Sequence, residues 1–386
     1  MNKILKNFIF VFFILLVSII NVLSQEEKIK IGILVPLTGE NKQLGQQIIK
    51  ASRLAIQDIN SKKIELYPKD TQSNPDKTLK SAKELQDLGI NIVIGPVFYQ
   101  SLRYLNDLEN ITFLSFTNKT IDLPNNVISS GINAASQIDT IKKFIEDNQI
   151  NKTIFLTPQV NYEEEIKKAI KQTKIKIYKQ HTYNKEPTKL TKQIEKITNY
   201  KVRKQNVIDE IKRIENSDLS DSEKERRIIR LKKKYTIGRL KFDSIIIADF
   251  DESLKSVITS LLYTDVSPKD KFFITFNQWF DESILNEKSL QPIYYPSIDK
   301  ENLEIFKKKF YNEFNEQPNH LTLLSYDLVG LVYYLIKSNN NLEFDKLFKK
   351  KNSFKGKIGV FEIKDNKINH KLNFYQIEDR KIKKIF

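Results

Sequence analysis

The 386-residue chain contains no cysteine. Disulfides, thiolate catalysis and cysteine-ligated zinc are excluded, and with them a lipid tether carried on a cysteine. Histidine is nearly as scarce. His181, His320 and His370 are scattered, lack HExxH or related spacing, and read as surface residues rather than ligands. No GxxxxGK loop, GxGxxG turn or GxSxG elbow occurs, and Gly32, Gly39 and Gly45 are spaced as markers of a strand, a turn and a helix start. Carboxylate pairs such as Asp249 and Asp251 have no pKa-raising context in the sequence and read as strand-end solvent contacts. The chain is expected to have no catalytic set, no metal site and no cofactor.

What the chain has in excess is positive charge: 64 Lys plus Arg against 48 Asp plus Glu, formally +16. A nucleic-acid partner is not expected, because the cations are spread along the chain and interleaved with acids, and Lys, Ile and Asn are abundant everywhere. A weak attraction to acidic cell-envelope polymers fits the same balance.

Met1 to Ser24 has the form of a secretory leader: Lys3 and Lys6, an apolar stretch from Phe8 to Val22, then Val22-Leu23-Ser24 before charged sequence. The stretch is about 15 residues, short of the roughly 20 that a spanning helix needs, so cleavage is expected over a signal anchor. No later segment is expected to be long and apolar enough to span. Export and a periplasmic location follow. At this length two lobes are the default.

Ile31 to Val35 is a continuous apolar run, as in a buried parallel strand, closed by Pro36-Leu37-Thr38-Gly39. From Leu44 to Asn60, Ile48, Ile49, Ser52, Ala55, Ile56 and Ile59 recur at helical intervals. The order then repeats: strand 64–67, helix 75–88 stopped by Gly89, strand 90–94, helix 101–108 and strand 112–116. A crossing to a second lobe is expected around 127–132. There follow helix 135–148, strand 153–157, helix 162–172, strand 176–181, strand 244–248, helix 252–263 and strand 272–276. Helices are expected over 302–314 and 322–337, and β-structure over 357–386 with turns at Asp365-Asn366 and Glu378-Asp379. Such alternation predicts an α/β protein with doubly wound parallel sheets and a ligand at the carboxyl ends of the strands.

Between Thr188 and Lys241 the composition changes to a charged helical pair, Leu190–Asn216 and Ser220–Lys234, with Ser220 to Glu223 as a capping box. Ile208, Ile211, Ile214, Ile228 and Leu231 give it a narrow apolar stripe. Two readings fit: a crossover elaborated on the second lobe, or an arm that binds a partner.

Several phrases in order resemble type I periplasmic binding proteins of the leucine/isoleucine/valine-binding kind. They are Pro36-Leu37-Thr38-Gly39 with Gly45, Asp70-Thr71, Ile94-Gly95-Pro96, Ser115-Phe116-Thr117-Asn118 and Leu324-Ser325-Tyr326-Asp327. The resemblance implies two Rossmann-like lobes joined by a three-segment hinge. The expected division is 28–131 plus 272–337 for lobe 1 and 132–271 plus 338–386 for lobe 2, with 188–241 inserted in lobe 2. It also implies a cleft in which first-lobe hydroxyls and N–H groups hold a carboxylate and a second-lobe tyrosine covers the ligand.

Matched by position, the cleft candidates are Tyr99, Ser101, Ser115, Thr117, Asn118, Lys119, Tyr162 and Asp249, with Asp251 as an alternative acid for a ligand ammonium. Tyr99 and Lys119 stand where small hydroxyl residues are usual, and Glu163 replaces the glycine after the tyrosine. These side chains either close an unused cleft or suit a changed ligand. The 115–118 strand end, the charged helix, Asn277-Gln278-Trp279 and Phe354 to Phe361 resemble the penicillin-binding-protein-activator branch of this fold, which regulates peptidoglycan synthesis through a synthase. The expected partners are a small polar ligand or a cell-wall synthase. The alternative is the substrate-binding component of an ABC importer for amino acids, with a permease as partner. Trp279 and Tyr294-Tyr295 read as core packing, with the cleft or a partner face as the alternative.

Overall fold

The computed structural model describes residues 28–276, 282–338, 344–349, 351–364 and 367–386. The leader, Asn277-Gln278-Trp279 and the turn at Asp365-Asn366 lie outside them.

The first lobe is a parallel sheet of β1 (Ile29–Val35), β2 (Ile64–Asp70), β3 (Ile92–Ile94), β4 (Thr112–Ser115) and β5 (Val127–Ser129), in the order β2-β1-β3-β4-β5. Helix α1 (Lys42–Ile59) buries Ile48, Ala51, Ser52 and Ala55 and ends at Asn60, in the left-handed region. Its close approach to the β1 turn demands Gly45, where a Cβ would stand 1.8 Å from the Pro36 carbonyl oxygen. Helix α2 (Pro75–Asp87) starts at Asn74, whose side chain accepts from the N–H groups of Asp76 and Lys77. The expected helix over 101–108 is instead two 3₁₀ turns, 99–102 and 105–107. Leu102, Leu105 and Leu108 recur every third residue, and the three-residue period brings all of them into the core.

The second lobe begins with α3 (Ala134–Asp147) and β6 (Thr153–Pro158). It continues through α4 (Glu163–Thr173), β7 (Lys179–Tyr183), α5 (Pro187–Ile197), α6 (Tyr200–Glu215), α7 (Asp221–Lys232), β8 (Ser244–Ile247), α8 (Asp251–Tyr263), β9 (Phe272–Thr275) and β10 (Ile293–Ser297). Helices α9 (Lys300–Phe314) and α10 (His320–Ser338) return to the first lobe. There follow an antiparallel three-stranded sheet, β11 (Asn352–Lys355), β12 (Val360–Lys364) and β13 (Lys367–Lys371), and a hairpin of β14 (Asn373–Glu378) and β15 (Lys381–Lys384). The second sheet runs β15-β14-β10-β9-β8-β6-β7, with only the β14 and β15 pairings antiparallel.

This order corrects the expected division. β9 pairs in parallel with β8, because β8-α8-β9 is one crossover unit, so 272–297 belongs to the second sheet. The chain returns at Ile298, whose side chain joins the first-lobe core. The tail is also divided: Phe361, Ile363 and Ile368 pack in the first-lobe core, while β14 and β15 complete the second sheet. The single helix expected over 190–216 is broken at Asn199, which has φ 51°. The Ser220 side chain makes no cap, so the expected capping box does not form. The strand expected at 176–181 lies at 179–183, which turns Tyr183 into the core.

α10 is 19 residues long and apolar enough to cross a membrane, contrary to the sequence expectation. Here it is a core helix, with Leu323, Leu328, Val329 and Val332 buried with the α1 residues. Its Asp327 accepts from the N–H groups of Lys357 (2.8 Å) and Ile358 (2.7 Å), fastening the turn before β12. Tyr294 packs 5.1 Å from Phe144, and Tyr295 is buried against Tyr375, so this pair is core.

The three crossings meet side by side. The Tyr375 hydroxyl donates to the Ile298 carbonyl (3.1 Å) and accepts from Lys300 N–H (3.1 Å), while Asn133 donates to the Ile368 carbonyl (3.1 Å). His370, expected at the surface, is buried here: its Nε2 donates to the Ser130 carbonyl (2.9 Å) and its ring lies edge-on to Phe361. The alternation of β13 places it inward, a position that a count of histidines does not reveal.

Burial lowers the His370 imidazole to about 4. The folded state therefore resists a proton that the unfolded chain takes up near pH 6.5. Stability from this neutral ring is full above that pH and is lost as pH falls toward 4, by roughly 3 kcal/mol. Burial pushes the Asp327 carboxyl the other way, up to about 7. Its contribution is full below the unfolded carboxylate pKa and is lost as pH rises through 7, opposing that of His370. The His370 share is thus read as a difference: denaturant unfolding from pH 7 to 4 should fall less steeply in His370→Gln than in the wild type.

Candidate functional site

The carboxyl ends of the strands face each other across the lobes, and the side chains there are already engaged with one another. On the first lobe, Ser115 is fully buried; its hydroxyl donates to the Pro96 carbonyl (2.9 Å) and accepts from Thr117 N–H (3.2 Å). The Thr117 hydroxyl accepts from Lys119 N–H (3.2 Å). These bonds fold the β4 end into a fixed shelf. The Lys119 ammonium sits 4.1 Å from the centre of the Tyr99 ring, within cation–π range. Tyr99 also donates to the Asp122 carbonyl (3.3 Å), and burial followed by the charges of Asp122 and Glu165 raises its phenol. Ser101 is buried with no hydrogen-bond partner for its hydroxyl among the described residues, and Asn118 is exposed; the structure brings neither into this network.

On the second lobe, Asp249 lies just past the end of β8 at 1% exposure. A carboxylate so placed requires compensation, and among the described residues it has five donors. Lys185 pairs with it at 2.8 Å, Tyr183 donates at 2.6 Å, Ser253 at 2.5 Å, Phe250 N–H at 3.0 Å and Tyr162 at 3.4 Å. Burial first, and the Asp249 charge second, push the Tyr162 and Tyr183 phenols well above their ordinary range. Asp251 stands at the start of α8, exposed and at φ 50°. The acid assigned to a ligand ammonium is therefore occupied by the protein's own ammonium.

The two lobes also grip each other directly. Glu165, in the first turn of α4 and 9% exposed, accepts from Thr120 N–H (2.7 Å), the Thr120 hydroxyl (2.7 Å) and Ile121 N–H (2.8 Å). Lys168, one residue short of a turn further on, donates to the Thr120 carbonyl (2.7 Å). An acid at a helix amino end is favoured by the dipole, and here it also spans the lobes. Sequence reasoning missed Glu165, Lys185 and Tyr183. The available signal was position: Glu165 lies on the turn after Tyr162, and Tyr183 and Lys185 follow a strand end as Asp249 does.

Two variants test this geometry. Lys185→Met removes the one cation paired with the buried Asp249 among the described residues and should lower stability by about 1–3 kcal/mol in denaturant unfolding. Glu165→Gln cannot accept from all three Thr120–Ile121 donors; its radius of gyration by small-angle scattering should exceed the wild-type value, whereas an unchanged envelope would mean the latch does not hold the lobes.

Residues 28–203 match the family model described as periplasmic binding protein. No curated protein matches the sequence. Among solved structures, the chain is similar to a putative branched-chain amino acid ABC transporter from Rhodospirillum rubrum, with 12% identity, 93% and 100% of the two chains covered, and TM-score 0.67. It is similar to the C-domain of LpoA from Haemophilus influenzae, a regulator of PBP1A, with 14% identity, 92% and 100% covered, and TM-score 0.62. It is also similar to the isoleucine complex of the substrate-binding protein LivJ from Streptococcus pneumoniae, with 17% identity, 92% and 98% covered, and TM-score 0.52. At these identities the likeness is one of fold, and the proteins named are binding proteins and a regulator rather than enzymes. With residues 28–203 matching that family model and its two lobes built as in these structures, the chain has the fold of the type I periplasmic binding proteins.

Proposed function

We propose that the protein is a non-catalytic, extracytoplasmic regulator of peptidoglycan synthesis, related in role to the penicillin-binding-protein activators, whose cleft no longer receives a free amino acid. The observation that carries this reading is the Lys185–Asp249 pair, which fills the place of a ligand ammonium from within. The Glu165 latch supports it, since closure here needs no ligand to bridge the lobes. With Tyr99 and Lys119 stacked across the first-lobe shelf, the residues expected to hold a carboxylate are spent on each other. In this role the lobes present a fixed outer surface to a cell-wall synthase, and a periplasmic location follows from the leader.

A second reading is the substrate-binding component of an ABC importer. It rests on Lys119, which has no carboxylate partner among the described residues and would suit an anionic solute with no ammonium.

Thermal shift of the chain from Gln25 onward, against amino acids, small dicarboxylates, short peptides and muropeptides, separates the two. The regulator reading predicts no shift with any solute and measurable binding to the ectodomain of a bifunctional cell-wall synthase from the same organism. A saturable rise with one solute class, roughly 2.7 kcal/mol at a hundredfold excess over Kd, would overturn it in favour of the importer. In Lys185→Met, a free α-amino acid should gain binding that the wild type lacks, because its ammonium can take the vacated place beside Asp249.

A further inference from the structure

Helix α7 has no buried residue along its 12 positions. Isolated helices of this length are marginal in water, and most helical stability in proteins comes from packing one face. Ile228 and Leu231 are only partly covered, and Ile229 on the outward side is 48% exposed. The helix is held through its neighbour. Arg203 of α6 is buried, donating to the Thr264 carbonyl (3.1 Å), the Thr236 hydroxyl (2.7 Å) and the Asp265 carbonyl (3.2 Å), and Val207 and Ile214 are buried beside it. The hairpin is thus anchored at α6 and bare at α7.

Its charge is as uneven as its packing. Residues 224–234 contain seven Lys and Arg and one acid, Glu225. Arg227 pairs with Glu223, but Arg226, Arg230, Lys232, Lys233 and Lys234 are exposed with no carboxylate partner among the described residues. On the helical period Arg226 and Arg230 lie to one side of Ile229, about 60° and about 100° around the helix from it, and all three are exposed. Just past the helix, Tyr235 is 79% exposed. An aliphatic and an aromatic side chain set among unpaired cations match a headgroup layer, where apolar side chains enter the interface and cations meet anionic phosphates. An acidic protein surface would use the cations but leave Ile229 and Tyr235 without a purpose.

We propose that the α6–α7 hairpin docks the protein on an anionic phospholipid surface through Arg226, Ile229, Arg230, the Lys232–Lys234 run and Tyr235. This surface is at the insertion, apart from the Asp249 cleft, and holds for either reading of that cleft. In a chain with no cysteine to carry a lipid, it supplies reversible residence at the membrane.

Co-sedimentation with vesicles tests it, using the chain from Gln25 onward because the apolar leader would insert by itself. Binding to phosphatidylglycerol-containing vesicles, absent with pure phosphatidylcholine and lost at molar salt, is the expected result. Combined Arg226→Glu, Arg230→Glu and Lys233→Glu should weaken partition roughly a hundredfold, at about fivefold per cation. Ile229→Ser should weaken it without changing the salt dependence. Circular dichroism and Tm should match the wild type in both, since none of these residues is buried. Equal binding to both vesicle types, no binding to either, or a charge-reversed variant that binds as the wild type would overturn the proposal. So would a wild type that ignores vesicles yet binds an acidic synthase ectodomain through these same residues.

Discussion

A carboxylate removed from water must be compensated where it stands, and Asp249 draws its donors from several elements. Tyr162 comes from the start of α4, Tyr183 from the end of β7, Lys185 from the loop beyond, and Ser253 with the Phe250 N–H from the first turn of α8. One charge thereby ties together the carboxyl edge of the second sheet. Tyr162 and Asp249, both expected in the cleft from the sequence, are members of this knot, so the cleft wall and the rigidity of the lobe share the same contacts.

The hinge and the latch oppose each other across the molecule. At the crossings, His370, Tyr375 and Asn133 bond the three strands of the hinge to one another, which limits how independently each can turn. At the cleft, Glu165 and Lys168 bond the lobes through backbone groups of Thr120 and Ile121. Backbone partners hold their geometry without rotamer choice, so less entropy is lost in closing than a pair of long side chains would require. In this structure the contact between the lobes is made by the chain's own residues.

The alternation of buried strands and amphipathic helices was legible because it is local: Ile31 to Val35, the α1 stripe and the Gly89 stop each follow from spacing within one segment. Lobe membership was not, because β9 and β10 are apolar runs that would suit either sheet, and only the pairing with β8 and β14 decides. Tyr162 and Asp249 were found by position and do meet. Glu165 and Lys185 were missed because a charged residue on a surface helix or loop carries no mark of the partner across the cleft. Helix α10 was expected over 322–337 and is found as a core helix; its length and composition would also suit a spanning one, as those of a core helix covered on most sides do.

The second sheet is closed by its last-made strands. β14 lies between β10 and β15, and Phe374 stacks 4.5 Å from Phe144 and 5.5 Å from Phe386 in the core. A chain emerging amino end first can assemble β1 to β5 early, yet the second lobe keeps β10 as an open apolar edge until the carboxyl-terminal hairpin arrives. Its pairing with β10 joins residues 76 to 84 positions apart, Ser297 with Asn373 and Ile293 with Ile377, so this edge is covered later than the strands that precede it. Without β14 and β15 the β10 edge would be open, and an open apolar edge is a template for pairing with other chains, so this hairpin is what shields the second sheet on that side.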